Sequence, residues 1–391
     1  MSDISVTHNM GPLVAADEQF THQVVATFGS VATSDPGWTE KVWMTVHLRD
    51  GSLQACFGLG KYVNRGVYDT AGGVSRGTDQ WTVRASRTLS HDPDGASAGP
   101  LRYEVVEPLK AVRAVLEPTE HAAIAFDLTW RGAVPPSLEL PWPERSPDGY
   151  RTTHDALRYH QMGAAEGWIE VDGERTHVTS ETSFSVRDHS WGIRPDVGLP
   201  TPGLPRGPRP HRALVTWAPM LLFRPDGAAY SLFAFLQRRE GDGFLEVRSQ
   251  GEEVLGNGTS TRYVAATQDL AFRDDNRRLS GGTITLLDGA GGTRPLTVTP
   301  VSDTGFALGT GGYFGWNGRM IGQWAGPLVV DGEHLTGLDA PEMARQVHQL
   351  RDVLCRVEDP VGGGSGYANV ETLAVGEWPD LGLTAENGAW V

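Results

Sequence analysis

The feature that most constrains this chain is a recurring Asp-Gly pair set between short runs in which apolar and polar residues alternate. It occurs at Asp50-Gly51, Asp148-Gly149, Asp172-Gly173, Asp226-Gly227, Asp242-Gly243, Asp288-Gly289 and Asp331-Gly332. The favoured two-residue hairpin turn needs φ > 0 at both central positions, so each pair predicts two antiparallel strands folded back on one another. Strand-like runs lie between them: KVWMTVHL from Lys41, WTVRAS from Trp81, LRYEVVE from Leu101, VRAVLE from Val112 and AAIAFDLTW from Ala122, then ALVTWAPMLLF, AAYSLFAFLQRR and PLTVTPV in the second half. The fold class this predicts is all-β, with the strand spacing of barrels or sandwiches. One helix is expected in the C-terminal half, from Asp339 to about Cys355. Asp339 is a natural N-cap, Pro341 and Glu342 suit the first turn, and Met343, Val347, Leu350 and Leu354 share a face.

A chain of 391 residues, 39% of them hydrophobic, can bury a large core and suggests two domains. The densest proline stretch, Pro195 to Pro210, marks the join, because proline locks φ and cannot donate to a ladder. The expected division is a β domain at 1–195, a Pro-rich connector at 196–210 and a second β domain at 211–391. Residues 1 to about 35 read as an irregular arm on the first domain. The Pro-rich segment Val134 to Pro147 reads as an extended surface loop or lid.

The formal charge is −15 and the pI near 5.2, so the surface repels phosphate, and neither nucleic acid nor stable membrane insertion is expected. The two cysteines, Cys56 and Cys355, have no ligand spacing, so no disulfide scaffold or metal site is expected. The first twenty residues lack the layout of a secretory signal, and the expected location is the cytoplasm. A homodimer is compatible with the sequence. Phosphate-loop and HExxH motifs are absent, and GLGKYVNRG lacks the third glycine of a dinucleotide fingerprint.

Chemistry concentrates in RDHSWGIR, Arg187 to Arg194. The run before it alternates, so a continued pleat puts Asp188 on the face of Phe184 and Val186, against an apolar interior. Desolvation there raises a carboxyl pKa, which is how a protein keeps a general acid protonated near neutral pH. His189 points the other way and shares a site with Asp188 only if the chain bends at Ser190 to Gly192. The competing reading is a buried structural network, with Asp188 bonded to backbone, Trp191 in the core and Arg194 capping a turn. A second concentration lies in Gly311 to Glu333, where Tyr313, Phe314, Trp316 and Trp324 offer π faces among glycines, suited to a developing cation.

Taken together, GKYVNRG, LRYEVVEPLKAVRAVLE, FDLTWRGAVPP, HQMGAAEGWIEVDGE, RDHSWGIR, GYFGWNGRMIGQWAG and GYANVETLAVG resemble the two-domain lipocalin-like superfamily of hydroxyneurosporene synthase (carotenoid 1,2-hydratase) and AttH-like proteins. The resemblance implies two lipocalin-like barrels, a ligand cavity between or within them, and no metal or organic cofactor. Its His-x-Trp element matches His189 and Trp191. Where a Tyr-x-Asp pair is expected, this chain has Trp217 and Pro219, which moves the acid role to Asp188.

The site expected from these readings has Asp188, His189 and Trp191 as catalytic residues. Gln161, Trp168, Arg194, Trp217, Tyr313, Trp316, Trp324 and Glu371 are expected around the ligand. The function expected is a cofactor-independent lyase or isomerase of the hydratase, dehydratase or cyclase type, acting by acid catalysis on a hydrophobic terpenoid, steroid-like or polyketide molecule. The alternatives are a non-catalytic carrier of an apolar ligand, and a pericyclase that works by shaping its substrate.

Overall fold

In the computed structural model, residues 12–23, 33–90, 95–146, 149–195, 197–199, 201–204, 210–347 and 350–384 are described. Strand makes up 61% and helix 6%, which makes the class all-β. The first half contributes β1 (Trp38–Leu48), β2 (Gln54–Tyr62), β3 (Val67–Arg76), β4 (Asp79–Thr88), β5 (Ser97–Ala98), β6 (Leu101–Glu107), β7 (Ala111–Leu116), β8 (Ile124–Gly132), β9 (Ser137–Leu138), β10 (Glu144–Arg145), β11 (Thr152–Val171), β12 (Glu174–Val178) and β13 (Ser183–Ile193). The second contributes β14 (Pro210–Phe223), β15 (Ala229–Gly241), β16 (Phe244–Leu255), β17 (Ser260–Tyr263), β18 (Ala265–Phe272), β19 (Leu279–Leu287), β20 (Thr293–Ala307), β21 (Leu328–Leu335), the helix α1 (Pro341–Val347), β22 (Arg351–Asp359) and β23 (Gly364–Val375).

The strands form two nearly closed, barrel-shaped sheets. The first runs β21-β4-β3-β2-β1-β13-β11-β8-β7-β6-β5, with β9, β10 and β12 also on β11; the second runs β17-β16-β15-β14-β23-β22-β20-β19-β18. β21 comes from the second half of the chain but pairs with β4, so it covers an edge of the first sheet that would otherwise present unpaired backbone groups.

Asp-Gly pairs lie in the turns β1–β2, β11–β12, β14–β15, β15–β16 and β19–β20, but only one of these has both residues at positive φ. Asp172 and Gly173 both take positive φ, 53° and 80°, between β11 and β12, as a two-residue turn of this hand requires. Asp331-Gly332 departs from the pattern and lies inside β21. Glycine is needed there for a different reason, since a Cβ would come within 2.8 Å of the His121 carbonyl oxygen and 2.9 Å of that of Thr82. Asp148 lies outside the described residues.

The expected helix is shorter than its pattern suggested. Only Pro341–Val347 is helical, and Arg351–Asp359 is β22, paired with β20 and β23. Leu350, Asp352 and Leu354 also fit a period of two, and pairing on both edges selects the strand. The segment Val134 to Ser146 is a strap more than a surface loop. Val134, Ser137 and Glu139 are buried, Ser137 Oγ donates to Glu252, and the Leu140 N–H donates to Gln250 Oε1 at 2.9 Å. Much of the connector lies outside the described residues, but Val197 packs with Tyr62 and Val67.

Three apolar clusters follow from the alternation. Val42, Met44 and Val46 of β1 point into the first barrel with Phe57, Tyr68 and Trp130. Met220, Leu232, Ile284 and Val370 fill the second. Between the barrels, Trp43, Phe184 and Val186 of the first sheet meet Trp217, Phe233 and Phe306 of the second. Strands β1 and β13 are therefore buried on both faces. Among the described residues no helix is long and apolar enough to cross a membrane.

Candidate functional site

β13 runs unbroken through RDHSWGI, so the bend that would bring Asp188 and His189 together does not occur. Arg187 and His189 point into the first barrel, and Trp191 packs with His22 of the N-terminal segment; Asp188 points to the seam between the barrels. Inside, the Arg187 guanidinium donates to Glu18 Oε1 at 2.6 Å and Oε2 at 2.8 Å, and the Tyr159 hydroxyl donates to Oε1 at 2.9 Å. Burial works to raise the Glu18 pKa, but the Arg187 charge and its hydrogen bonds hold it below the ordinary value. Trp191 stacks on His22 at 3.6 Å between ring centroids. This half of the motif anchors residues 12–23 to the barrel.

The other half faces a different environment. Asp188 sits between Trp43 of β1 and His160 of β11. Across the seam, Glu371 of β23 sits between Trp217 of β14 and Asp352 of β22. Trp43 and Trp217 meet edge to face at 5.8 Å. Among the described residues the Asp188 carboxyl has no hydrogen-bond or salt-bridge partner; it feels the longer-range fields of Arg158, Arg194 and Lys41. Burial raises its pKa against those charges. Glu371 is pushed up to about 7, by burial first and by the Asp188 charge, against Arg158 and Arg194. Asp352 is raised well above the carboxylate range by burial and by Glu371. Two neighbouring carboxyls cannot both ionise cheaply, so Asp352 keeps its proton and shares it with Glu371.

Cations complete the cluster. Arg158 clasps Glu139 of the strap in a bidentate pair at 2.8 and 2.7 Å, and Trp217 Nε1 donates to the same carboxylate at 3.0 Å. Burial works against ionised Glu139, yet the Arg158 charge and a His160 hydrogen bond bring its pKa to about 2. Arg158 is thus committed to Glu139 and leaves Asp188 unclasped. Lys41 Nζ donates to the Tyr313 hydroxyl at 2.6 Å, and burial, followed by repulsion from Arg194, lowers its pKa well below the usual range.

Beside this cluster lies a small hollow of about 50 Å³, bordered by Lys41, Trp43, Cys56, Gly58, Phe306 and Tyr313 among others. Its floor exists because β2 and β3 carry small residues there. A Cβ on Gly58 would meet nothing nearer than 3.8 Å. Gly58 pairs with Trp43, which pairs with Asp188, so the carboxyl is two strands from the floor; Asp188 does not itself border the hollow and reaches it through Trp43. Mostly apolar walls with a few convergent polar groups are the usual build of a small-molecule site.

Of the residues expected from sequence, the seam gathers Asp188, Arg194, Trp217, Tyr313 and Glu371. Gln161 lies inside the first barrel, where its Oε1 accepts from Arg187 at 2.9 Å. Trp168 lies on the β11–β12 hairpin under the Arg175 guanidinium, 3.7 Å from its ring centroid. Trp316 packs with Ala307, Leu338 and Val347 and donates to Glu333, while Trp324 is 59% exposed; neither borders the hollow. Lys41, Glu139, Arg158 and Asp352 were not singled out. Lys41 had a signal, since Lys41, Trp43, Thr45 and His47 form a second face of the β1 run, distinct from Val42, Met44 and Val46.

Comparison with solved structures places the fold. A protein of Nitrosomonas europaea assigned as AttH superposes with a TM-score of 0.52 at 12% identity, covering 90% of this chain and 98% of that one. Kievitone hydratase from Nectria haematococca gives 0.42 at 9% identity over 87% and 90% of the two chains, and CghA gives 0.47 at 11% over 88% and 90%. The class of protein is the two-barrel, lipocalin-like fold that the sequence resembled. Within it, the chain belongs to a family of unknown function (DUF8625), whose model matches residues 13–384. No curated protein matches the sequence.

Proposed function

We propose that the protein is a lyase or isomerase of the hydratase, dehydratase or cyclase type, acting by acid catalysis at the seam on a small hydrophobic molecule of terpenoid, steroid-like or polyketide character. The observation that carries this reading is Asp188: a half-buried carboxyl at the seam of two sheets, unpaired among the described residues, with a raised pKa and two further carboxyls opposite. A buried acid with no structural partner costs stability, and such groups cluster where chemistry needs them.

In this mechanism the Asp188 O–H gives its proton to an alkene carbon, whose π electrons form the new C–H bond. The faces of Trp43 and Trp217 stabilise the cation left on the neighbouring carbon. Water or a second double bond then attacks, and Glu371, with a pKa near 7, accepts the proton released, with Asp352 hydrogen-bonded behind it. Lys41, Tyr313 and Arg194 orient a polar end of the substrate. His189 has no part in proton transfer, because it lies on the other face of β13.

The test starts from lipophilic material co-purifying with the full chain, identified by mass spectrometry and offered back as substrate in D₂O. Deuterium should enter a C–H bond of the product with the wild type and fail to do so with Asp188→Asn. Conversion by Asp188→Asn at the wild-type rate would exclude the acid role. A rate independent of pH would favour cyclisation by shape alone, and binding without any conversion would favour a carrier.

A further inference from the structure

A second polar cluster, separate from the seam, lies where the N-terminal segment enters the first barrel. His22 Nδ1 is 2.5 Å from Glu40 Oε1, and His189 Nε2 is 3.3 Å from the same oxygen. All three donor atoms lie within 4.8 Å of one another. Glu40 and His189 have no exposed surface. Even so, Glu40 Oε2 and His189 Nε2 have no hydrogen-bond partner among the described residues. Two orphaned polar atoms at one buried point call for an explanation.

The outer partners of the two imidazoles supply it. Tyr159 spends its hydroxyl proton on Glu18, so toward His189 Nδ1, 3.4 Å away, its oxygen can only accept. That fixes the proton on Nδ1 and leaves the Nε2 lone pair turned to Glu40. His22 Nδ1 is hydrogen-bonded to Glu40 Oε1 at 2.5 Å while its Nε2 lies 3.3 Å from Asp17 Oδ1, so a metal ion would take the place of the Nδ1 proton, with Asp17 accepting from Nε2. The His189 Nε2 lone pair and Glu40 Oε2 are then left facing one another with no donor, and a cation between them would satisfy both. Metal-ligating histidines are held in this way, with the far nitrogen bonded to an acceptor that sets the tautomer.

We propose that His22, Glu40 and His189 bind a divalent transition-metal ion, with zinc as the best match to two imidazoles and a carboxylate. Glu40 Oε2 supplies a fourth donor by bidentate ligation. Donors about 2.0–2.2 Å from one ion stand roughly 3–3.5 Å apart, so the present spacing needs only side-chain adjustment. The ion is structural: it fastens residues 12–23 to β1 and β13, and it takes no part in chemistry at the seam.

The experiment uses the full chain, stripped with chelator and titrated with zinc or with cobalt(II). One equivalent of zinc should bind and raise the melting temperature, and cobalt(II) should give a visible ligand-field band. His22→Ala and Glu40→Gln should weaken binding by at least about tenfold, while His121→Ala, an exposed histidine, should leave it unchanged. Should Glu40→Gln fail to fold, His22→Ala decides, since His22 sits at the surface side of the cluster. Absence of stoichiometric binding to the wild type, or binding unaffected by His22→Ala, would overturn the proposal.

Discussion

Replacing Glu371 by glutamine should make the protein more stable, and only above a certain pH. The folded state holds the Glu371 proton up to about 7 against an ordinary value of 4.5. A carboxyl with a raised folded pKa is protonated in the folded state where the unfolded chain has released its proton. Its stabilising effect is therefore complete below 4.5 and is lost as pH rises through about 7. At about 1.4 kcal/mol per pH unit the gap amounts to roughly 3 kcal/mol, trimmed to roughly 2–3 because solvent reaches part of the side chain. Glutamine resembles the protonated acid, can still accept from Asp352, and never ionises. Urea denaturation of wild type and Glu371→Gln, followed by tryptophan fluorescence at about pH 5 and about pH 9, should show nearly equal stability at the lower pH and an advantage of about 2–3 kcal/mol for the variant at the higher. A difference that does not change with pH, or a variant weaker at the alkaline end, would refute the reasoning.

Three other outcomes follow. Asp188→Asn should lower kcat by at least about a hundredfold while leaving the affinity for the co-purifying ligand within a few fold, measured by turnover and by ligand titration. Gly58→Leu should fill the hollow and abolish ligand binding with little loss of stability, because the position faces open space; unaltered binding would place the ligand elsewhere. Arg187→Met should cost about 3–5 kcal/mol by stranding the Glu18 carboxylate inside the barrel, and should expose residues 12–23 to limited proteolysis.

The pleat argument carried well through RDHSWGIR because β13 stays regular: Asp188 does share a face with Phe184 and Val186. What it could not supply was the identity of that face. A strand buried on one side alternates polar and apolar, but β1 and β13 are buried on both, so Arg187 and His189 are as enclosed as their apolar neighbours. Asp352 was hidden for a related reason. Met343, Val347, Leu350 and Leu354 satisfy a helical period, while Leu350, Asp352 and Leu354 satisfy a strand, and only pairing with β20 and β23 decides between them. Glu139 sat in a Pro-rich stretch whose composition says extended but not covered. The cluster of His22, Glu40 and His189 joins positions too far apart in sequence for any spacing rule.

The most direct test of the account is the protonation state of the seam carboxyls. Infrared difference spectroscopy near neutral pH should show the C=O stretch of protonated carboxylic acids in the wild type, with one component lost in Asp352→Asn and another, fading as pH rises through about 7, in Glu371→Gln. A wild-type spectrum with no such band, all three acids being ionised, would contradict the claim that this seam stores protons for a bound molecule.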